Sequence, residues 1–172
     1  MVAYRRNFVP GGTFFFTVTL RDRRSRLLVE RIDDFRTAYE HVHRARPFKT
    51  DAIVVLPDHL HCIWTLPDGE ADYAGRWRAI KARFTSACRR AGVALNRDHA
   101  GAFDLWQRRY WEHTIRDERD FEAHVNYIHF NPVKHRHATA PRDWPHSSFN
   151  RFVREGLLAP DWAVVPEIEL PE

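Results

Sequence analysis

Cysteine is scarce in this chain. Cys62 and Cys88 are the only two in 172 residues, far apart and without a CxxC partner, which excludes a disulfide framework and a zinc knuckle and leaves both as buried small hydrophobes. Lysine is nearly as rare. Lys49, Lys81 and Lys134 are the only lysines among 27 basic residues, so the net charge of +4 rests on arginine. The planar guanidinium fork suits phosphate oxygens and base edges, which tilts the expected partner toward nucleic acid. Long apolar runs are missing as well: the stretch from Thr13 to Leu20 is too short to cross a bilayer, and no small-residue cleavage site follows it. The reading is therefore a cytoplasmic protein with no membrane partner. Two catalytic signatures are also lacking. There is no GxxxxGK[ST] phosphate loop, which argues against ATP use, and no GxSxG elbow surrounds Ser147 and Ser148. No repeat or low-complexity run is visible, and the length suits one core better than two. A single domain over residues 1–156 with a C-terminal tail over 157–172 is expected.

What is present divides into clear elements. Thr13 to Leu20 is rich in aromatic and β-branched residues after a Pro10-Gly11-Gly12 turn, so it reads as a strand. Asp33 as N-cap, Ile32 as staple and Phe35, Tyr39 and Val42 at helical spacing predict a helix ending before Pro47. Ala52 to Leu56 and His59 to Leu66 read as a hairpin of two strands around Pro57-Asp58. A second helix carries Trp77, Ile80, Phe84, Ala87 and Ala91, with Gly92 at its C-terminal cap. Asn96 to Gly101 reads as a loop, and Tyr110 to Ile115 as a fourth strand. The order β-α-β-β-α-β is that of an α+β, ferredoxin-like split βαβ fold, an antiparallel sheet with two helices on one face. One helix is left over. Asp117 caps it, Phe121, Val125 and Ile128 line one side, and Pro132 is expected to stop it near Asn131. Pro141 to Gly156 reads as an ordered aromatic segment in which Trp144 caps the sheet or this last helix.

Two constellations carry chemistry. Alternation along the third strand puts Leu60, Cys62, Trp64 and Leu66 on a core face, so His59 and His61 project together from the other, close enough to share one cation. On the last helix, His124, Tyr127 and Asn131 share a stripe beside the apolar one. A phenol and a carboxamide one turn apart offer a nucleophile and an oxygen ligand. Taken alone, the first pattern reads better as two polar positions on a half-exposed strand, and the second as a half-buried tyrosine with a helix-ending Asn before Pro.

The segments HLH at 59–61, LWQRRYWEHTIRDERDFEAHVNYIHFNPVKH at 105–135, DWPHSSFNRFV at 143–153 and PGGTFFFTVTLRDR at 10–23 resemble, in the expected order, the REP-associated tyrosine transposases. These are relatives of the insertion-sequence HUH single-tyrosine transposases. The resemblance implies His59 and His61 as metal ligands, Tyr127 as the nucleophile on an additional catalytic-tyrosine helix, and Asn131 as a third ligand, with His124, His129 and His135 open as alternatives. It implies magnesium or manganese as the metal and hairpin-bearing single-stranded DNA as the partner, cut and rejoined through a 5′-phosphotyrosine. A monomer is expected, with a dimer as the alternative, nucleoid-associated when bound to DNA. Arg5, Arg6, Arg21, Lys81 and Arg108 are the candidate DNA contacts, within a wider set that includes the Arg21 to Arg26 cluster. Two rival readings keep the same residues: a domesticated hairpin-binding protein that does not cleave, and a metal-dependent hydrolase using water in place of the phenol.

Overall fold

Why the sheet forms is plain from its central strand. Phe14, Phe15, Phe16 and Val18 in β1 (Thr13–Thr19) are large or β-branched and fit a pleated surface. β1 pairs antiparallel with β3 (His59–Thr65) on one side and with β4 (Trp111–Thr114) on the other, and β2 (Lys49–Val55) pairs antiparallel with β3. The resulting order is β2-β3-β1-β4, the split βαβ topology expected from the sequence. The computed structural model describes residues 8–163, 165 and 168–170.

Both faces of this sheet are buried. Phe14, Phe16 and Val18 join Leu60, Cys62 and Trp64 under two helices, α2 (Ile32–Ala45) and α3 (Tyr73–Arg90). Phe15 and Ile63, one residue out of phase, meet Val125, Tyr127 and Ile128 of α4 (Glu118–Lys134) on the opposite face. The second face is thus a second core, not a half-exposed surface, and this alters the surroundings of His59 and His61. Cys62 and Cys88 are free and buried, as expected.

The helix boundaries follow local chemistry. Asp72 caps α3 by accepting from the Gly75 N–H at 2.7 Å. At its other end Gly92 takes φ 79, and Val93 N–H to Cys88 C=O and Gly92 N–H to Arg89 C=O, each 3.0 Å, close the left-handed turn that glycine permits. Asp33 is not the cap of α2. A short helix, α1 (Leu27–Glu30), abuts it, α2 begins at Ile32 with Arg31 at the cap, and Asp33 and Asp34 fall inside the first turn. There they complement the helix dipole instead.

α4 departs from expectation at its end. Asp117 caps it by accepting from the Asp120 N–H at 2.8 Å, but Pro132 lies inside the helix, which runs on to Lys134. A proline in the last turn removes a single ladder bond, and the turn is closed downstream by His137 N–H to Pro132 C=O at 2.8 Å and Arg136 N–H to Val133 C=O at 3.0 Å. This turn needs a left-handed residue and uses Arg136 at φ 59.

The segment after α4 protects the sheet edge. Val55 N–H reaches His146 C=O and Ser148 N–H reaches Ile53 C=O, both at 2.8 Å, while Trp144 Nε1–H donates to Val55 C=O at 2.9 Å. These bonds occupy the open side of β2. A 3-10 turn at Pro141–Asp143 and α5 (Phe149–Arg154) frame the segment. Farther on, the Trp162 ring lies 5.9 Å from that of Phe149, and Ile168 and Leu170 pack on the second core. No helix among the described residues is long and apolar enough to cross a membrane.

Arg136 gives the first prediction. A side chain in the left-handed region costs about 1–2 kcal/mol, partly offset by the extra freedom glycine has when unfolded. Arg136→Gly is expected to stabilise the protein by about 0.5–1 kcal/mol, read as a higher urea midpoint. A midpoint that falls would show that the arginine side chain itself holds the helix end.

Candidate metal and nucleophile site

Burial defines the two histidines of β3. His59 and His61 are 1% and 0% exposed, with ring centroids 4.9 Å apart. Each is held at its inner nitrogen. His59 Nδ1 donates to Asp58 Oδ1 at 2.8 Å, since a carboxylate can only accept, and in the neutral ring this leaves Nε2 as a lone pair. His61 Nδ1 lies 2.8 Å from Thr17 Oγ1 of β1, its neighbour in the ladder. The tautomer that donates there likewise leaves Nε2 as an acceptor.

The electrostatics agree with a neutral His61 ring and an ionised Asp58. Burial pushes the His61 imidazole well below its usual range, and the basic groups around it, among them Lys134 and Arg23, add to the shift. Burial alone would raise the Asp58 carboxyl, but hydrogen bonds from His59 and Arg23 outweigh it and hold the group down at about 2. Asp58 is therefore ionised and can orient His59 throughout the neutral range. Both histidine Nε2 atoms, and both Oδ1 and Nδ2 of Asn131, are buried with no hydrogen-bond partner. Four orphaned polar atoms on residues of ligand type call for an explanation.

Tyr127 stands beside this pair. It is 1% exposed, its ring centroid lies 5.1 Å from that of His61, and Lys134 Nζ sits 5.0 Å from its centre. Asn131 follows one turn later and is fully buried. Of the three histidines left open by the sequence, His135 comes to the pair, with its ring 5.2 Å from that of His59. His129 instead meets Ser148 Oγ at 2.9 Å through Nε2. His124 turns to a separate group with His113 and Asp120.

That separate group is also of metal-ligand type, but its atoms are bonded to one another. Asp120 Oδ2 accepts from His113 Nε2 at 2.8 Å and from the Arg116 backbone N–H at 3.0 Å, and His124 Nδ1 donates to Asp120 C=O at 2.7 Å. These bonds fasten the first turn of α4 to β4.

The charged candidates fare differently. Arg5 and Arg6 lie outside the described residues. Arg21 pairs with Asp104 at 3.0 Å, Arg108 with Asp98 at 3.0 Å, and Lys81 donates to Gln107 C=O at 3.1 Å. None of these three reaches the histidines. Arg23, Arg24 and Arg26 do, lining a cavity of about 380 Å³ together with His59, His135 and His137. A somewhat larger cavity, about 440 Å³, lies between α2 and β2 and includes neither histidine of the pair nor Tyr127.

Sequence reasoning missed Asp58 and Thr17 as the groups that orient the imidazoles. Asp58 was visible as an acid adjoining His59. Thr17 was not, because its partnership depends on strand register. The exposed indole of Trp111 was missed too. In β4 it is in register with Thr17, so it belongs to the same row of the sheet as His61.

With the geometry in hand, comparison with known proteins is informative. No family model matches the chain. It is 49% identical over 163 residues to a REP-associated tyrosine transposase of Escherichia coli K12, covering 95% of this chain and 92% of that protein. A Haemophilus influenzae protein assigned to the same family is 41% identical over 174 residues, covering 99% of this chain and 98% of that one. A solved REP-associated tyrosine transposase bound to a REP hairpin superposes with a TM-score of 0.86 at 48% identity, covering 96% of this chain and 93% of that one. The chain belongs to the REP-associated tyrosine transposase family.

The Asp120 cluster yields a pH prediction. Burial would raise this carboxyl, but hydrogen bonds from His113 and Arg116 overcome it and leave it at about 2. Its folded value lies below the unfolded value of about 3.9, so its stabilisation is complete above that and fades as pH falls toward 2. Asp120→Ala should cost about 1.5–3 kcal/mol at pH 7, with the gap to wild type narrowing between pH 4 and 2 in denaturant titrations. A gap constant over that range would remove the ionised carboxylate from the account.

Proposed function

We propose that the protein is a metal-dependent single-strand DNA transposase that cleaves and rejoins hairpin DNA with Tyr127 as nucleophile. One observation carries this reading: two buried imidazoles, each held at Nδ1 and unpartnered at Nε2, adjoin the ring of a tyrosine on a helix packed across them. The family resemblance and the relative bound to a REP hairpin support hairpin DNA as the substrate class.

The donor set fits a divalent cation. Orphaned Nε2 atoms of His59 and His61 with the unpartnered Asn131 amide give two nitrogens and one oxygen, a nitrogen-rich combination that would take manganese, cobalt or zinc as well as the magnesium that the family resemblance implies. When bound, the cation withdraws charge from a non-bridging phosphate oxygen. Asp58 and Thr17 keep the two rings in the required tautomer and orientation. Tyr127 Oη attacks phosphorus in line, the bond to the 3′ oxygen breaks, and the products are a 5′-phosphotyrosine and a free 3′-hydroxyl. Lys134 places a positive charge against the ring whose oxygen must lose its proton. The phosphodiester energy stays in the covalent bond, so rejoining needs no nucleotide cofactor.

Labelled single-stranded hairpin DNA with manganese should give a covalent protein–DNA adduct that disappears in Tyr127→Phe and persists in Tyr110→Phe. Normal cleavage by Tyr127→Phe would overturn the assignment, and chelator-insensitive binding without cleavage by wild type would favour a pure hairpin binder. Removing the group that orients His59 should also weaken the cation site. Asp58→Ala is expected to lower manganese affinity about 10–100-fold, measured by calorimetry, and unchanged affinity would take His59 out of the ligand set.

A further inference from the structure

Beside His59 is a cavity of about 380 Å³ whose wall includes Arg23, Arg24, Arg26, His59, His135 and His137 but neither His61 nor Tyr127. Its charge is one-sided. Asp58 is the only carboxylate in the wall, and it is already engaged by Arg23 Nε at 2.6 Å and by His59. Arg24 pairs with Asp22, while Arg26 has no acidic partner among the described residues. Polyanion phosphates are the chemistry such a wall recognises, through guanidinium forks and imidazole N–H groups.

Its place relative to the nucleophile selects which phosphates. The rings form a chain in which Tyr127 lies 5.1 Å from His61, His61 4.9 Å from His59 and His59 5.2 Å from His135. The tyrosine thus adjoins one histidine of the pair and the cavity adjoins the other. In-line displacement sends the departing oxygen away from the attacking one. From this we infer that the cavity grips the strand segment that departs with the free 3′-hydroxyl, holding it for the return step. This rests on Tyr127 being the nucleophile.

In that return step the 3′-hydroxyl oxygen bonds to phosphorus, the bond from phosphorus to Tyr127 Oη breaks, and the hydroxyl proton passes to the released phenolate. A segment lost to solvent leaves the protein stranded as an adduct. Retention of this end therefore governs whether a nick is resealed.

The test separates this inference from the proposed function. Arg26 and His137 are both exposed, and neither is bonded to Asp58, so Arg26→Ala/His137→Ala spares the bond that orients His59. In the first arm, Tyr127→Phe protein is titrated with a fluorescein-labelled thymidine decamer ending in a 3′-hydroxyl. The added double substitution should weaken binding at least fivefold, and the slope of log affinity against log salt should fall by about 0.7 for the lost arginine contact. Equal affinity and slope would overturn the inference whether or not the protein cleaves DNA.

In the second arm, preformed wild-type and double-variant adducts receive the 3′-hydroxyl oligonucleotide released by cleavage. The concentration giving half-maximal rejoining should rise at least fivefold in the variant, and Arg26→Lys should recover most of the arginine's share. Weaker decamer binding with unchanged rejoining would mean that the cavity holds some other part of the strand, which also overturns the inference. Failure of wild type to form any adduct would sink the proposed function, and the first arm would still decide whether the cavity holds a strand.

Discussion

Two imidazoles are fastened at one nitrogen and left bare at the other, and much of the structure serves to keep them so. A buried polar atom without a partner costs about 1–3 kcal/mol, and His59, His61 and Asn131 together present four. Total stability for a domain is about 5–15 kcal/mol, so side chains free to turn toward water would do so. They are not free. β3 is an interior strand paired on both edges, Asp58 and Thr17 hold the rings, and a core on each face prevents the sheet from opening. The second core therefore has a use beyond stability: it seals the imidazoles under α4, where a ligand can compensate for their missing bonds.

α4 is the element on which the geometry turns. Near its start, Asp120 and His124 lock to His113 on β4, and just past its end His135 meets His59 on β3. The helix thus crosses the sheet from an edge strand to an interior one, anchored at both ends. Tyr127 lies between the anchors, against Phe15 and His61. A nucleophile misplaced by an ångström loses much of its rate, and a helix fixed at two separated points holds its middle better than a loop would.

Much of this was legible in the residues. Aromatic, β-branched and apolar runs bounded by turn residues located the strands, Asp117 and Gly92 marked helix ends by their capping chemistry, and the HLH string with YIHFNPVKH pointed to the family that the comparisons establish. What escaped was what depends on register and on distant contacts. Thr17 faces His61 only because β1 and β3 pair as they do, and nothing near Thr17 in sequence announces it. Pro132 does not end the helix where its chemistry suggests, because the last turn has little ladder left for a proline to break. Arg21, Lys81 and Arg108 stand out by charge alone, and charge does not reveal that two of them have acidic neighbours and the third a backbone carbonyl.

The turn after α4 joins the two halves of the proposed chemistry. Because Arg136 adopts a left-handed conformation, the chain reverses within one residue, and His135 and His137 on either side of it both line the cavity next to His59. The turn that ends the helix carrying Tyr127 consequently supplies part of that wall. Any shift of α4 along the sheet would therefore move the proposed nucleophile and the His135 and His137 part of the proposed clamp together. Cleavage and resealing are reverse passages through one transition state, so in the proposed chemistry the nucleophile and the histidine part of the clamp gain from being carried by one helix and the turn that ends it.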